Sequence, residues 1–241
     1  MNRIRGLLLV GMLLTTAVLP IQAYAQSATA IKYGDVAKGE ITASKASLSF
    51  TFKAAANDMV VLKMKQDGLD SNVAPSLAVT DSTKKTVADT TQQTTYSSAT
   101  LVFAVTAAGT YTIVAGTTDP TKIGKFQLLL SKAQVLKSGQ ASIGHASTEQ
   151  PAYFTYTSGD PFTISYAKSA GDFTPDVNVN KVADDKSLTQ VAYIGGSLIN
   201  AGSLTVNPGT SQTFVVSVES ALFDFNTKVT ADFTLQVDIA K

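Results

Sequence analysis

The chain has 241 residues, 44% of them hydrophobic and 15% charged, and it contains no cysteine, no tryptophan and one histidine. Without cysteine, disulfides, thiolate nucleophiles and Cys-ligated zinc or iron–sulfur centres are excluded. Both arginines lie within the first five residues, and the 17 lysines and 18 acidic residues after residue 25 give a net charge of −1. Because the part of the chain after residue 25 has neither arginine nor a basic surplus, it is not expected to bind nucleic acid.

The first 25 residues have the three-part pattern of a secretory signal peptide. A basic start precedes an apolar run from Gly6 to Leu19, and the small residues Ala23 and Ala25 stand just before Gln26. The apolar run is shorter than the roughly 20 residues that a membrane-spanning helix needs. We therefore predict cleavage after Ala25 and a secreted or periplasmic mature chain with no transmembrane segment.

The rest of the chain reads as a series of short β-strands. In Ser47–Phe52, apolar side chains alternate with hydroxyl-bearing ones. The same period of two recurs at 60–65, 101–106, 111–115 and 126–130. These runs are bounded by Gly, Pro, Asn or Asp, which is typical of half-buried antiparallel strands. The sequence predicts an all-β fold, a sandwich or a barrel.

The strand pattern occurs twice along the chain. Matching segments, always in the same order, are 50–52 with 154–156, 60–64 with 162–166, 75–79 with 175–179, 109–110 with 209–210, and 126–130 with 233–237. This regularity predicts two tandem copies of one domain, 26–133 and 134–241. The joint near Lys132–Gln134 leaves almost no linker, so we expect the copies to be held at a fairly fixed angle.

Five motifs of the first copy carry a family resemblance. They are Tyr33-Gly34-Asp35-x-x-x-Gly39, Ser49-Phe50-Thr51-Phe52, Pro75-Ser76-Leu77-x-Val79-x-Asp81, Gly109-Thr110-Tyr111-Thr112-Ile113 and Gly124-x-Phe126-x-Leu128. Residues 31–132 resemble the bacterial pre-peptidase C-terminal (PPC) domain, and the second copy resembles a diverged version. The resemblance implies two jelly-roll-like antiparallel β-sandwiches without catalytic activity, which help secreted proteins engage substrates or surfaces. Some members of that family bind calcium.

His145 is the one residue around which a hydrolytic site can be imagined. Such a site would pair it with Ser147 and with Glu149 or Asp160, an arrangement that depends on geometry alone. No Gly-x-Ser-x-Gly motif is present, and the stretch around His145 resembles a turn. We predict that His145 is an exposed loop residue and that the chain is not an enzyme.

Two loops are rich in oxygen donors. Asp67, Asp70 and Asn72 stand close together in the first copy, and we place Asp172 and Asp176 in the equivalent loop of the second. Calcium prefers such ligands, but Asp and Asn also simply form turns. Calcium binding and turn formation both remain open, and no other cofactor is expected.

Several aromatic residues fall outside the alternating strand faces. They are Tyr96, Phe173, Tyr193, Phe223 and Phe225, all in predicted loops or at strand edges. Such rings can stack on sugar rings, although aromatic residues at strand ends can also cap the core. They are our candidate ligand-binding residues.

The sequence thus predicts an exported, non-catalytic binding or adhesion module that recognises extracellular polysaccharide or protein. Binding would involve loop tips or a sheet face supported by the sandwich. An alternative is a structural subunit of an extracellular filament or coat that assembles through β-strand edges. A further alternative is a hydrolase that uses His145.

Overall fold

The computed structural model describes residues 28–90, 97–172, 175–184, 186, 188–195, 200–220 and 229–240. These residues form 18 β-strands. No helix within the described ranges is long and apolar enough to cross a membrane. The predicted all-β fold is confirmed.

The first nine strands form two sheets. They are β1 (Thr29–Ala30), β2 (Val36–Ile41), β3 (Ser47–Ala54), β4 (Met59–Gln66), β5 (Pro75–Thr80), β6 (Thr86–Asp89), β7 (Ser98–Ala104), β8 (Gly109–Thr117) and β9 (Gly124–Lys132). Sheet I has the order β1-β3-β8-β5-β6 and sheet II the order β2-β9-β4-β7. Phe50 and Ile113 of sheet I pack against Leu62 and Phe126 of sheet II, which makes the core of the first sandwich.

The other nine strands form a second sandwich. They are β10 (Gln134–Val135), β11 (Ala141–Ser147), β12 (Ala152–Ser158), β13 (Phe162–Gly171), β14 (Pro175–Val182), β15 (Leu188–Ile194), β16 (Ala201–Val206), β17 (Gln212–Ser220) and β18 (Thr230–Ile239). Sheet III has the order β10-β12-β17-β14-β15 and sheet IV the order β11-β18-β13-β16. These orders repeat those of sheets I and II strand for strand. Even the short parallel pairing of β1 with β3 recurs between β10 and β12.

A glycine beneath a phenylalanine ring occurs at the same place in both sandwiches. Gly39 pairs with Phe126 across β2 and β9, and Gly144 pairs with Phe233 across β11 and β18. A Cβ atom at either glycine would lie only 2.5 Å from a carbon of the paired ring. Each ring therefore occupies the space that a side chain on the edge strand would need.

The two sandwiches pack face to face through sheets II and III. Val61, Val102 and Leu129 point away from the first core, and Tyr153 and Val215 point away from the second, yet all five side chains are buried together. Strands that alternate between core and solvent would expose these positions, so each sheet is covered by the other. The layers are therefore stacked in the order I, II, III, IV.

Polar contacts flank this apolar interface. The Lys63 ammonium lies 2.7 Å from the Glu219 carboxylate, and the side-chain amide of Gln150 donates a hydrogen bond to the Gly34 carbonyl. The interface thus joins the sandwiches through apolar packing, an ion pair and a hydrogen bond.

The outer face of sheet IV is chemically different from that of sheet II. By strand register, Val61, Val102 and Leu129 correspond to Thr163, Thr205 and Gln236. The Oγ atoms of Thr163 and Thr205 lie 3.0 Å apart. Apolar residues thus occupy the face that is covered by another sheet, and polar residues occupy the equivalent outer face.

A buried carboxylate ties the start of β4 to the first sandwich. Asp58 accepts hydrogen bonds from the Ala55 backbone N–H at 3.0 Å and the Tyr33 hydroxyl at 3.1 Å, and the Lys132 ammonium lies 2.6 Å away. Burial by itself raises the pKa of Asp58, but the contacts with Lys132, Ala55 and Tyr33 outweigh it, so the net pKa is lowered.

Asp58→Asn is expected to lower the free energy of unfolding at neutral pH by about 1.5–3 kcal/mol, the range for hydrogen bonds to a charged group. Because folding lowers the pKa of Asp58, its contribution is complete above the ordinary pKa of 3.8 and declines as the pH falls below it. Urea titrations from pH 7 to pH 2 should show the gap between wild type and variant closing in acid. Asp160→Asn, at the equivalent exposed turn, is the control, and an equal loss in both variants would contradict this account.

Candidate functional site

Several strand ends of the second sandwich lie at the same end of the domain. Across the ladders, Pro175 at the start of β14 faces Ser220 at the end of β17, and Gly171 at the end of β13 faces Ala231 near the start of β18. The segments 173–174, 196–199 and 221–228, which lie outside the described residues, connect strand ends of this group. A rigid sandwich that presents loops together at one end is a common scaffold for binding sites.

Four of the five candidate aromatic residues fall outside the described part of the chain. They are Tyr96, Phe173, Phe223 and Phe225, and the predicted cleavage residues Ala23, Ala25 and Gln26 also lie outside it. By chain connection, the segments that contain Phe173, Phe223 and Phe225 start and finish at the loop end of the second sandwich.

Tyr193 and Asp176 form a hydrogen-bonded pair at this end. Tyr193 lies in the edge strand β15, and its hydroxyl donates to Asp176 Oδ1 at 2.6 Å. Asp176 is the second residue of β14, so our placement of it in a loop was wrong. The two side chains meet because β14 and β15 are antiparallel neighbours, with Tyr193 opposite Asn178.

Gly195 allows the Tyr193 ring to lie along the sheet. A Cβ atom at position 195 would collide with the hydroxyl oxygen and the ring carbon that bears it. The Tyr193 side chain nevertheless remains 48% exposed. The Asp176 hydrogen bond, followed by burial, raises the pKa of the Tyr193 phenol. The hydrogen bond therefore orients the ring, the phenol hydroxyl stays protonated, and the ring remains accessible to solvent. Such a ring suits stacking on a ligand.

His145 is exposed as predicted, but it does not lie in a loop, so that part of the prediction was wrong. It is a residue of β11, opposite Asp232 in β18, and its Nδ1 lies 2.6 Å from Asp232 Oδ1. Gly144 made the sequence around His145 resemble a turn. In the structure this glycine instead leaves room for the Phe233 ring. Both members of the pair are more than half exposed, so the structure pairs His145 with an acid other than Glu149 or Asp160.

The Ser147 hydroxyl has a hydrogen-bond partner other than His145. Ser147 is 5% exposed, and its Oγ accepts a hydrogen bond from the Gln150 backbone N–H at 3.0 Å. No hydrogen bond between Ser147 and His145 is present among the described residues.

Of the predicted calcium ligands of the first sandwich, Asp67 has protein partners for both carboxylate oxygens. Asp67 Oδ1 accepts a hydrogen bond from the Gln127 amide at 2.7 Å, and Asp67 Oδ2 lies 3.5 Å from the Lys38 ammonium. Asp70 is exposed, and the Asn72 backbone N–H donates to the Ile123 carbonyl. These contacts hold the loop against β9 and its neighbours.

In the second sandwich, the Asp172 backbone N–H donates to the Thr230 carbonyl at 2.9 Å. Across the described ranges, no group of three His, Cys, Asp or Glu side chains is placed to hold a metal ion. Calcium binding stays a prediction for both loops.

Comparisons with known proteins give matches to solved structures alone. No protein-family model matches the chain, and no curated protein matches it. The pre-peptidase C-terminal domain of collagenase from Bacillus anthracis is 13% identical over 44% of this chain and 96% of that domain, with a TM-score of 0.36. The CBM22-1-CBM22-2 tandem domain of Xyn10C from Paenibacillus barcinonensis is 12% identical over 86% of this chain and 92% of that one, with a TM-score of 0.28.

Two residues of the site region were missed by sequence reasoning. Asp232 was missed because it meets His145 only through the pairing of β11 with β18, which no local sequence signal gives. Gly195 follows Tyr193 by two residues and lies directly after the end of β15, a spacing visible in the sequence.

Proposed function

We propose that the chain is an exported, non-catalytic binding module that consists of two PPC-like β-sandwich domains, 26–133 and 134–241. Its ligand is extracellular polysaccharide, bound at the loop end of the second sandwich. The signal-peptide pattern before Gln26 supports export, and the motifs in 31–132 support the family. The identical strand order of the two halves supports the duplication.

The observation that carries the ligand proposal is the Tyr193 ring held by Asp176. A half-exposed ring on a rigid strand loses little conformational freedom when it stacks, because its orientation is already set. The Asp176 carboxylate has acceptor capacity beyond the one bond from Tyr193, so it suits the hydroxyl groups that border a sugar ring.

The surroundings of His145 support the proposal that the module is non-catalytic. Its partner Asp232 lies with it on an exposed sheet face, and Ser147 is buried with a different hydrogen-bond partner. A serine hydrolase requires the nucleophile, the base and the acid within hydrogen-bonding reach of one another. The described residues do not provide that arrangement around His145.

Tyr193→Ala is expected to weaken binding to the preferred polysaccharide at least tenfold, which corresponds to about 1.4 kcal/mol. Tyr193→Phe should have a smaller effect, since it keeps the ring and removes the hydrogen bond to Asp176. Affinity is measured by calorimetry on soluble polysaccharides and by co-sedimentation with insoluble ones. Val191→Ala, on the same strand and 44% exposed, is the matched control. Equal affinity of Tyr193→Ala and wild type would refute this site.

A further inference from the structure

Two carboxylates lie side by side next to the Tyr193 ring. Asp176 of β14 faces Glu219 of β17 directly across the ladder. Their strand neighbours Val177 and Val218 are buried in the second core, and successive side chains of a strand point to opposite faces. Both carboxylates therefore lie on the outer face of sheet III, which is the face that packs against sheet II.

Asp176 and Glu219 are close enough to repel each other. Directly opposed residues of an antiparallel pair have Cβ atoms about 4.5–5.5 Å apart, and like charges at such positions are unfavourable. Without a compensating cation, this repulsion would turn the Asp176 side chain away from Glu219. Asp176 accepts the 2.6 Å hydrogen bond from the Tyr193 hydroxyl, so the position of the ring depends on where the Glu219 charge is held.

Lys63 of the first sandwich compensates the Glu219 charge. Its Nζ lies 2.7 Å from Glu219 Oε2, and the two side chains are 23% and 26% exposed. Salt screens a partly buried ion pair less than an exposed one. The Glu219 carboxylate is thereby held toward sheet II, and Asp176 remains in place to accept the hydrogen bond from Tyr193.

The repeated fold does not require these three charges. By strand register, the two carboxylates correspond to Ser76 and Gly116 in the first sandwich. Lys63 in turn corresponds to Ser165 in the second sandwich. Neither copy needs charged residues at both sets of positions, yet the lysine and the two acids meet beside Tyr193. Their arrangement is therefore a property of this site and not of the scaffold.

We propose that Lys63 is a positioning residue for the Tyr193 site. Its ammonium compensates the Glu219 carboxylate, so that Asp176 keeps the ring oriented for the polysaccharide. Lys63 acts through Glu219 and does not itself touch the ligand. This role rests on the proposed function for its ligand, and it makes the site of the second sandwich depend on a residue of the first. The packing of sheet II against sheet III thereby contributes to binding.

The test asks whether the loss of Lys63 is repaired when the charge that it compensates is also removed. In co-sedimentation of the mature chain with chitin and with microcrystalline cellulose, Lys63→Met is expected to lower the affinity about fivefold or more. Lys63→Met/Glu219→Gln should bind within about twofold of wild type, because Asp176 then faces no second carboxylate. Lys63→Arg keeps the ion pair and should retain binding. Lys53→Met, which removes an exposed lysine from the outer face of sheet I, is the matched control.

A second measurement needs no ligand. The NMR resonances of the Tyr193 ring, assigned from their absence in Tyr193→Ala, report the surroundings of the ring in the free protein. In Lys63→Met they should move toward their positions in Asp176→Ala, and in Lys63→Met/Glu219→Gln they should return to the wild-type positions. Thermal melting verifies that all variants fold.

The outcomes separate the role of Lys63 from the proposed function. If Lys63→Met/Glu219→Gln is as impaired as Lys63→Met, the lysine acts only by joining the two sheets, and its positioning role is refuted. If Tyr193→Ala loses binding and Lys63→Met binds like wild type, the positioning role is refuted and the proposed function stands. If Tyr193→Ala binds like wild type, the proposed site fails. In that case, or if wild type binds neither polymer, the ring resonances alone decide whether Lys63 positions the ring.

Discussion

Val61→Asp is expected to lower the free energy of unfolding by about 4 kcal/mol or more, the largest effect of any substitution considered. Val61 has no solvent exposure, although it points away from the core of its own sandwich. A carboxylate there would be buried without a partner, and such burial is among the few changes with costs of this size. Moving the sandwiches apart would hydrate the charge, so we also expect the unfolding transition to split in two.

Thr163→Asp is the matched control for this substitution. Thr163 has the same place in the second sandwich, but it lies on the polar outer face of sheet IV. Its replacement should cost about 1 kcal/mol or less, since it breaks one hydroxyl contact with Thr205. Differential scanning calorimetry and urea titration measure both variants. Similar losses in the two would contradict the packing of sheet II against sheet III.

Gly39→Ala and Gly144→Ala should each destabilise the chain by about 1–3 kcal/mol, the usual cost of overpacking a core. The new methyl group would meet the ring of Phe126 or Phe233, and both rings are fully buried. In an open strand the same substitution is stabilising by roughly 0.5–1 kcal/mol, because glycine is unfavourable there.

Gly109→Ala supplies the comparison for these two variants. A Cβ atom at Gly109 would meet no atom within 4 Å, so we expect an unchanged or slightly higher stability. The urea midpoints of the three variants, compared at a constant urea dependence of the unfolding free energy, give their stability changes. Stabilisation by Gly144→Ala would show that Phe233 does not lie over the edge strand as described.

The period of two predicted the core well because the buried faces follow it strictly. Phe50 and Phe52 alternate with polar neighbours and do lie in the core. The packing of the two sandwiches was harder to predict, since Val61 and Val102 occupy positions that the same alternation assigns to solvent. Apolar residues at outward positions were the available signal, and they mark a face that another sheet covers.

The candidate site was less predictable because it depends on strand register. Tyr193 and Asp176 are 17 residues apart, and they meet through the pairing of β14 with β15. That pairing shifts at an irregularity between Val179 and Asn180, which no local sequence pattern specifies. The same limit applies to His145, whose partner Asp232 is 87 residues away.

An array of glycans and extracellular matrix proteins, probed with the mature chain, tests whether the protein binds polysaccharide without cleaving it. The bound glycans are then analysed for cleavage products. We expect binding to neutral polysaccharides, loss of that binding in Tyr193→Ala, and recovery of the glycans intact. Binding to matrix proteins alone, or release of glycan fragments that His145→Ala abolishes, would contradict this proposal.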